Sequence, residues 1–267
     1  MLLDQLADEY QLNLAVLDIV EQVEQVSGKA IDFRTIPGLR VRAQSSMARQ
    51  RMAQHVILFN PKERPHLSHI LAHECARILR MLATPPEERQ VPASMPETLG
   101  LARNELRGEA QFLPEELRDE MTDMWIHGLI TQVTSQPVDV RIEEWIADNY
   151  PGLRQEQRRS LRTETRTVTA NMSPDVRRTT AASIFRRANA LNYAYLDHIG
   201  DILERSFESK FARSLEIVTL GRSLSQVLDD DTASDHELVD RCAEAIQVHD
   251  WFIWLDFEDM PDSYYAG

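Results

Sequence analysis

Eight histidines occur in the 267-residue chain, and three of them, His66, His69 and His73, crowd one short segment. Stepping about 100° per residue around a helix puts these three, with Arg77 and Arg80, on one arc of roughly 80°. Leu67, Leu71, Cys75, Ile78 and Leu82 form a second, apolar arc, the stripe that such a helix buries. Side chains at i and i+4 are neighbours, so His69 and His73 can reach a common ion, and imidazole nitrogen is a zinc ligand. Glu74 lies about 100° round from His73, against the apolar stripe. A carboxylate there is partly desolvated and suits general-base work.

Those are the parts of the HExxH zinc-peptidase helix, where two histidines one turn apart hold the metal and the adjacent Glu polarises the attacking water. The order here departs from it. His73-Glu74-Cys75-Ala76-Arg77 carries arginine at the second ligand position, and arginine stays protonated and cannot ligate zinc. Starting from His69 restores the ligand spacing, but Ile70 then occupies the base position. A mixed site is the remaining arrangement, with His69 and His73 as ligands and Glu74 as base.

Upstream, Val56-Ile57-Leu58-Phe59 reads as a strand that ends in Asn60-Pro61, and the helix with Ile70-Leu71-Ala72-His73-Glu74 follows. This succession resembles the ImmA/IrrE-like metallopeptidases, in which a strand ending in Asn-Pro precedes a helix with an Ala-His-Glu-x-x-His core. The resemblance covers about residues 10–150. It implies that His73 is a metal ligand, that Glu74 is the catalytic base, that the metal is zinc, and that a downstream carboxylate completes the site.

That third ligand should be an acid on a later helix, and Asp139, Glu143 and Glu144 are the candidates. Val140, Ile142, Trp145 and Ile146 mark a largely buried segment, in which an acid needs a cationic or metal partner. Glu143 is favoured because it sits between Ile142 and Ile146, whereas Asp139 can cap a helix starting after Pro137. The bland alternative pairs Glu143 or Glu144 with Arg77 or Arg141. In its pointed form, an arginine at a ligand position supplies the positive charge that zinc would bring. If the site is active, Arg77 would stand near the developing oxyanion.

The elements that must position these groups are mostly helical. Residues 2–27 read as one amphipathic helix stopped by Gly28, followed by short β-like runs at 30–33 and 39–41 and a better strand at 55–59. A helix from about 64 to 82 ends at Pro85-Pro86, and further helical pieces fall near 97–110, 114–134, 140–148, 155–169, 175–208, 211–228 and 235–250. The expected fold is α+β and predominantly helical. A metallopeptidase-like domain with few short strands spans residues 1–150, and an all-helical extension with an arginine-rich start and an aromatic, acidic tail spans 151–267. The aromatic stretch at 251–257 is expected to dock on its own core, with a partner anchor as the alternative.

Composition narrows the function classes. The chain has 29 basic and 43 acidic residues, a formal charge of −14, 43% apolar residues and two cysteines. That excludes general disorder and a disulfide framework, and it disfavours binding of nucleic acid by the whole protein. Residues 151–190 are the exception, with nine arginines against three acids, so the segment is +6 and the rest −20. This belt, Arg154 to Arg187, is read first as a solvated face or a partner for the chain's own acids, and second as a nucleic-acid contact. No apolar run is long enough for a membrane span, and the acidic start does not read as a signal peptide, so a cytoplasmic setting is expected. No phosphate loop or nucleophile elbow occurs, and Cys75 falls on the buried stripe where thiols are inert. The leading expectation is a zinc-dependent peptidase-like protein with an atypical or degenerate metal site, acting on a protein. The alternative is an inactive pseudo-peptidase that serves as a protein-protein interaction module.

Overall fold

The computed structural model describes residues 3–260. It is an α+β protein and predominantly helical, as expected. The amphipathic start is two helices, α1 (Leu3–Tyr10) and α2 (Leu14–Ser27), rather than the single helix expected over 2–27. Gln11 takes a left-handed φ of 54°, which ends α1. Asn13 then opens α2 by accepting the Ala15 N–H at its own side chain. Gly28 closes α2 at a φ of 67°, a backbone region that costs glycine little, with its N–H on the Glu24 carbonyl at 2.8 Å.

Strand β1 (Ala30–Thr35) pairs in parallel with β3 (Gln54–Phe59), and β2 (Ala43–Ser46) lies antiparallel on the other side of β3. The run at 39–41 is therefore not a strand, and pairing starts at Ala43. Asn60 accounts for the offset: it takes the Leu39 carbonyl with its side chain and the Arg42 carbonyl with its N–H, bending the chain before β2. On β3, His55, Ile57 and Phe59 face the core, the period-two pattern of a strand with one buried face. Pro61–His66 form a 3₁₀ turn whose first residues are held by the Asn60 side chain, and α3 (Leu67–Ala83) leaves from it.

Next come β4 (Gln90–Ala93), α4 (Pro96–Leu106) and α5 (Glu115–Asn149). Helix α5 corrects the expected break at Pro137, for residues 114–134 and 140–148 belong to one continuous helix. Proline removes one N–H from the ladder, and just before it the hydroxyls of Thr134 and Ser135 bond back to the carbonyls of Ile130 and Thr131. Asp139 consequently lies inside a helix and caps nothing. The remaining elements are α6 (Arg154–Ala170), α7 (Pro174–Thr179), α8 (Ala182–Leu203), α9 (Leu215–Leu228), α10 (Asp235–Ala245) and β5 (Ile253–Asp256), which pairs with β4.

The chain forms two compact units, neither continuous in sequence: Met1–Val91 with Ile142–Leu161 and Leu255–Gly267, and Pro92–Arg141 with Arg162–Trp254. A single boundary near residue 150 does not describe them, because α5 and α6 each run from one unit into the other. In the first unit, α2 and α3 pack together beside the three-stranded sheet. Asn13 joins three of its segments, accepting at its side chain for α2, donating to the Gly152 carbonyl and Glu156, and giving its N–H to Ser68. Residues 257–260 are bound there as well, through Phe257 N–H to the Arg89 carbonyl, Arg49 to the Met260 carbonyl and Glu258 to the Gln50 N–H.

In the second unit α8 packs along α9, and α10 packs on α9. Gly221 on α9 meets the Tyr193 ring of α8 so closely that a Cβ there would lie 2.6 Å from it. Gly221→Ala should therefore lower stability by about 2 kcal/mol, although alanine is the better helix former by about 1 kcal/mol. A thermal melt measures this, and an unchanged or raised midpoint would contradict the packing. Trp251 is buried, donates its indole N–H to Glu105 and lies under the Arg187 guanidinium, 5.4 Å from the ring centroid. Phe252 and Phe257 are buried too, so the aromatic stretch docks on the protein's own core; residues 261–267 of the tail lie outside the described residues. The arginine belt divides: Arg154, Arg159, Arg162 and Arg166 are exposed, whereas Arg187 is buried and paired with Glu105 at 2.7 Å.

Candidate functional site

All the residues of the candidate site lie in the first unit. On α3, Leu67, Leu71, Cys75 and Ile78 are buried as the stripe requires, and His69 and Glu74 are buried with them. Glu143 arrives on the last turns of α5 and is 1% exposed. Its two carboxylate oxygens are divided between the two histidines. His69 Nε2 stands 2.8 Å from Oε2, and His73 Nδ1 stands 2.8 Å from Oε1. Gln157 of α6, fully buried, donates its amide to the same Oε2 at 2.8 Å and to the Glu143 carbonyl at 2.7 Å. The structure thus brings together His69, His73 and Glu143, three of the residues singled out from sequence.

Arg77 stands on the far side of His73, with Nη2 3.3 Å from the ring's Nε2. A guanidinium only donates, so Nε2 accepts and Nδ1 carries the proton that Glu143 receives. This fixes His73 as a neutral ring between a cation and a carboxylate. A carboxylate–histidine–zinc triad has the same outline, with the metal on one ring nitrogen and a carboxylate on the other. Here the guanidinium stands where such a metal would. Burial alone would raise the Glu143 carboxyl's pKa. The N–H groups of His69 and then of His73, each donating a hydrogen bond with its positive end against the carboxylate, outweigh it and hold the group well below the usual carboxylate range.

Glu74 is turned away from the histidines. Its carboxylate accepts the Ser45 backbone N–H at 2.9 Å, on the sheet's edge strand β2, and lies 3.9 Å from Arg77 Nε. Arg77 therefore sits between Glu74 and His73 on one helix face. Arg141, the other candidate partner for Glu143, binds Asp235 and the carbonyls of Asp230 and Ala233 in the second unit instead. Cys75 is fully buried and its thiol pKa is pushed up by desolvation and by the nearby Glu74 charge, so it is no nucleophile.

Two features decide how the donors suit zinc. Ligands on a tetrahedral zinc, with bonds of about 2.0–2.1 Å, lie roughly 3.3 Å apart, wider than the 2.8 Å hydrogen bonds found here. A histidine that binds metal through Nε2 also needs an acceptor for its Nδ1–H, and His69 Nδ1 is buried with no hydrogen-bond partner among the described residues. If His69 instead donates Nε2–H to Glu143, Nδ1 is a bare lone pair and no N–H is stranded. The arrangement suits hydrogen bonding better than ligation. Among the described residues, no group of three or more His, Cys, Asp or Glu is disposed to hold a metal ion.

Gln157 and the Ser45 N–H are the parts sequence reasoning missed. Gln157 carries a signal, since it falls midway between Leu153, just before α6, and Leu161 on the helix's buried row, where a polar side chain needs a partner. Ser45 carries none, because its part is played by the backbone. No family model, curated protein or solved structure matches the chain.

Proposed function

We propose that this protein is a metallopeptidase-like protein whose site is a closed charge network, and that it acts as a non-catalytic protein-interaction module. One observation carries the reading: Arg77 occupies the outer nitrogen of His73 while Glu143 occupies the inner one. Every group that a peptidase would use is thereby engaged. The general-base candidate Glu74 faces Ser45 and Arg77, and both oxygens of Glu143 are taken. The succession of β3, Asn60-Pro61, the 3₁₀ turn and α3 supports the peptidase-like part of the reading. No helix among the described residues is long and apolar enough to cross a membrane.

A second reading rests on the convergence of His69, His73 and Glu143, which are three zinc-type donors. Metal content of protein purified without a metal-affinity tag or chelator separates the two. The charge network predicts no bound zinc in the wild type. It also predicts that Arg77→His, which removes the competing cation and completes an i, i+4 histidine pair with His73, tightens zinc binding roughly tenfold or more. Near-stoichiometric zinc in the wild type that disappears in His73→Ala would overturn the proposal and favour the atypical metal site.

A further inference from the structure

The start of α5 presents a face that its own unit leaves open. Leu117, Met121 and Met124 recur at i, i+4 and i+7, and Leu117 and Met124 are 47% and 56% exposed. Phe112, 53% exposed, stacks on the Trp125 ring with centroids 6.1 Å apart and widens the patch on one side. The flank of α5 beside the stripe, running round from Trp125, carries the buried row of Thr122, Trp125, Ile126 and Leu129, so this apolar stripe is additional to the one that fastens the helix. Glu116 and Glu120 are exposed along one edge of the stripe. Between 109 and 123 the chain has six acids and one arginine, Arg118, whose guanidinium is turned to the Leu113 carbonyl. Of those acids Asp123 is paired with Arg103 of α4 and Glu109 accepts the Ser183 N–H, so the charge offered beside the stripe is that of Glu116 and Glu120.

We propose that this face binds a basic amphipathic helix of a partner protein. The chemistry of each half selects the occupant. Flexible thioethers and leucine in a row accept the apolar i, i+3, i+4, i+7 side chains of a helix, a recognition mode in which methionine adapts to the partner's shape. The glutamates beside the row favour lysine or arginine on the helix flank and repel an acidic one. Aromatic Phe112, resting on a buried ring, is a pre-ordered anchor with little side-chain entropy to lose. An apolar centre with a charged rim is the anatomy of a specific interface. The protein's overall charge of −14 steers a cationic partner in the same sense. The inference goes beyond the charge network, for Arg77→His leaves every group of this face in place.

The test uses the full chain and a fluorescently labelled 18-residue helical peptide of leucine and lysine with one apolar face. A scrambled peptide of the same composition serves as control. Anisotropy should show saturable binding of the amphipathic peptide, and binding of the scrambled peptide at least about tenfold weaker. The pair Leu117→Asp with Met124→Asp should weaken binding by about tenfold or more, and Glu116→Lys with Glu120→Lys should weaken it and flatten its salt dependence. These positions are exposed, so circular dichroism and the melting midpoint should stay near wild type. No binding by the wild type, equal binding of the two peptides, or an unchanged affinity in the Leu117/Met124 variant would each overturn the proposal.

Discussion

Replacing Glu143 by alanine should destabilise the protein by about 3–5 kcal/mol, the largest effect expected of any single side chain in the site. The carboxylate accepts from His69, His73 and Gln157, all within 2.8 Å. Removing it strands three buried or half-buried donors in a volume alanine cannot fill, and it leaves the Arg77 charge without the carboxylate it faces across His73. Each part of that loss is a recognised source of large effects, and here they coincide. Glu143→Gln sharpens the argument. It keeps the volume but turns one oxygen into an NH₂, so at least one donor then faces another donor, and a cost of about 1–3 kcal/mol follows. Glu144→Ala, one residue on and half-buried, should cost less than either. Urea unfolding followed by circular dichroism gives all three values. A cost below about 1 kcal/mol for Glu143→Ala would mean that the network does not hold this part of the unit together.

The groups that meet at this site are partly readable from their spacing. His69 and His73 share a helix face because residues four apart always do, and Glu143 stands out because a carboxylate between Ile142 and Ile146 must find a partner. The ring orientation of His73 is not readable. It depends on whether Arg77 curls back along its own helix, a choice among rotamers that only the surrounding packing settles. The same limit separates the strands from the helices. β3 alternates buried and open side chains over six residues and is plain to see, whereas β2 is placed four residues later than its residues suggest because Asn60 reaches across to Leu39. Proline reads as a stop, yet α5 continues through Pro137, since a long helix with packed ends tolerates the loss of one hydrogen bond. The interleaving of the two units is hidden for a related reason. It is decided by where two helices cross from one core to another, and nothing in their local sequence marks the crossing.

Acid should weaken the protein well above the range where carboxylates titrate, and His55 is the cause. Its side chain is fully buried on β3, and Nδ1 accepts the Ala48 N–H at 2.9 Å. Nε2 consequently bears the ring proton, buried with no hydrogen-bond partner among the described residues. A second proton would have to enter at Nδ1, where it would face the Ala48 donor and break the bond that closes the turn between β2 and β3. Burial, aided by repulsion from Lys29, lowers the pKa of His55 to about 4 from an ordinary value near 6.5. The folded state thus binds this proton less readily than the unfolded chain. Stability from this group is complete above about pH 6.5 and is lost as the pH falls, by about 2 kcal/mol at pH 5 and about 3 kcal/mol at pH 4. Glu143, held low by its histidines, adds acid sensitivity only below the ordinary carboxylate range. His66, whose pKa burial also lowers, shares the span from pH 6.5 to 5, and His55 is the more strongly shifted of the two. His55→Asn tests the assignment, because the amide oxygen can replace Nδ1 as acceptor for Ala48 and does not titrate. Across that span the variant should lose about 2 kcal/mol less than the wild type, whatever its stability at neutral pH. Parallel pH profiles for the two proteins would show that His55 is not the group that takes up the proton.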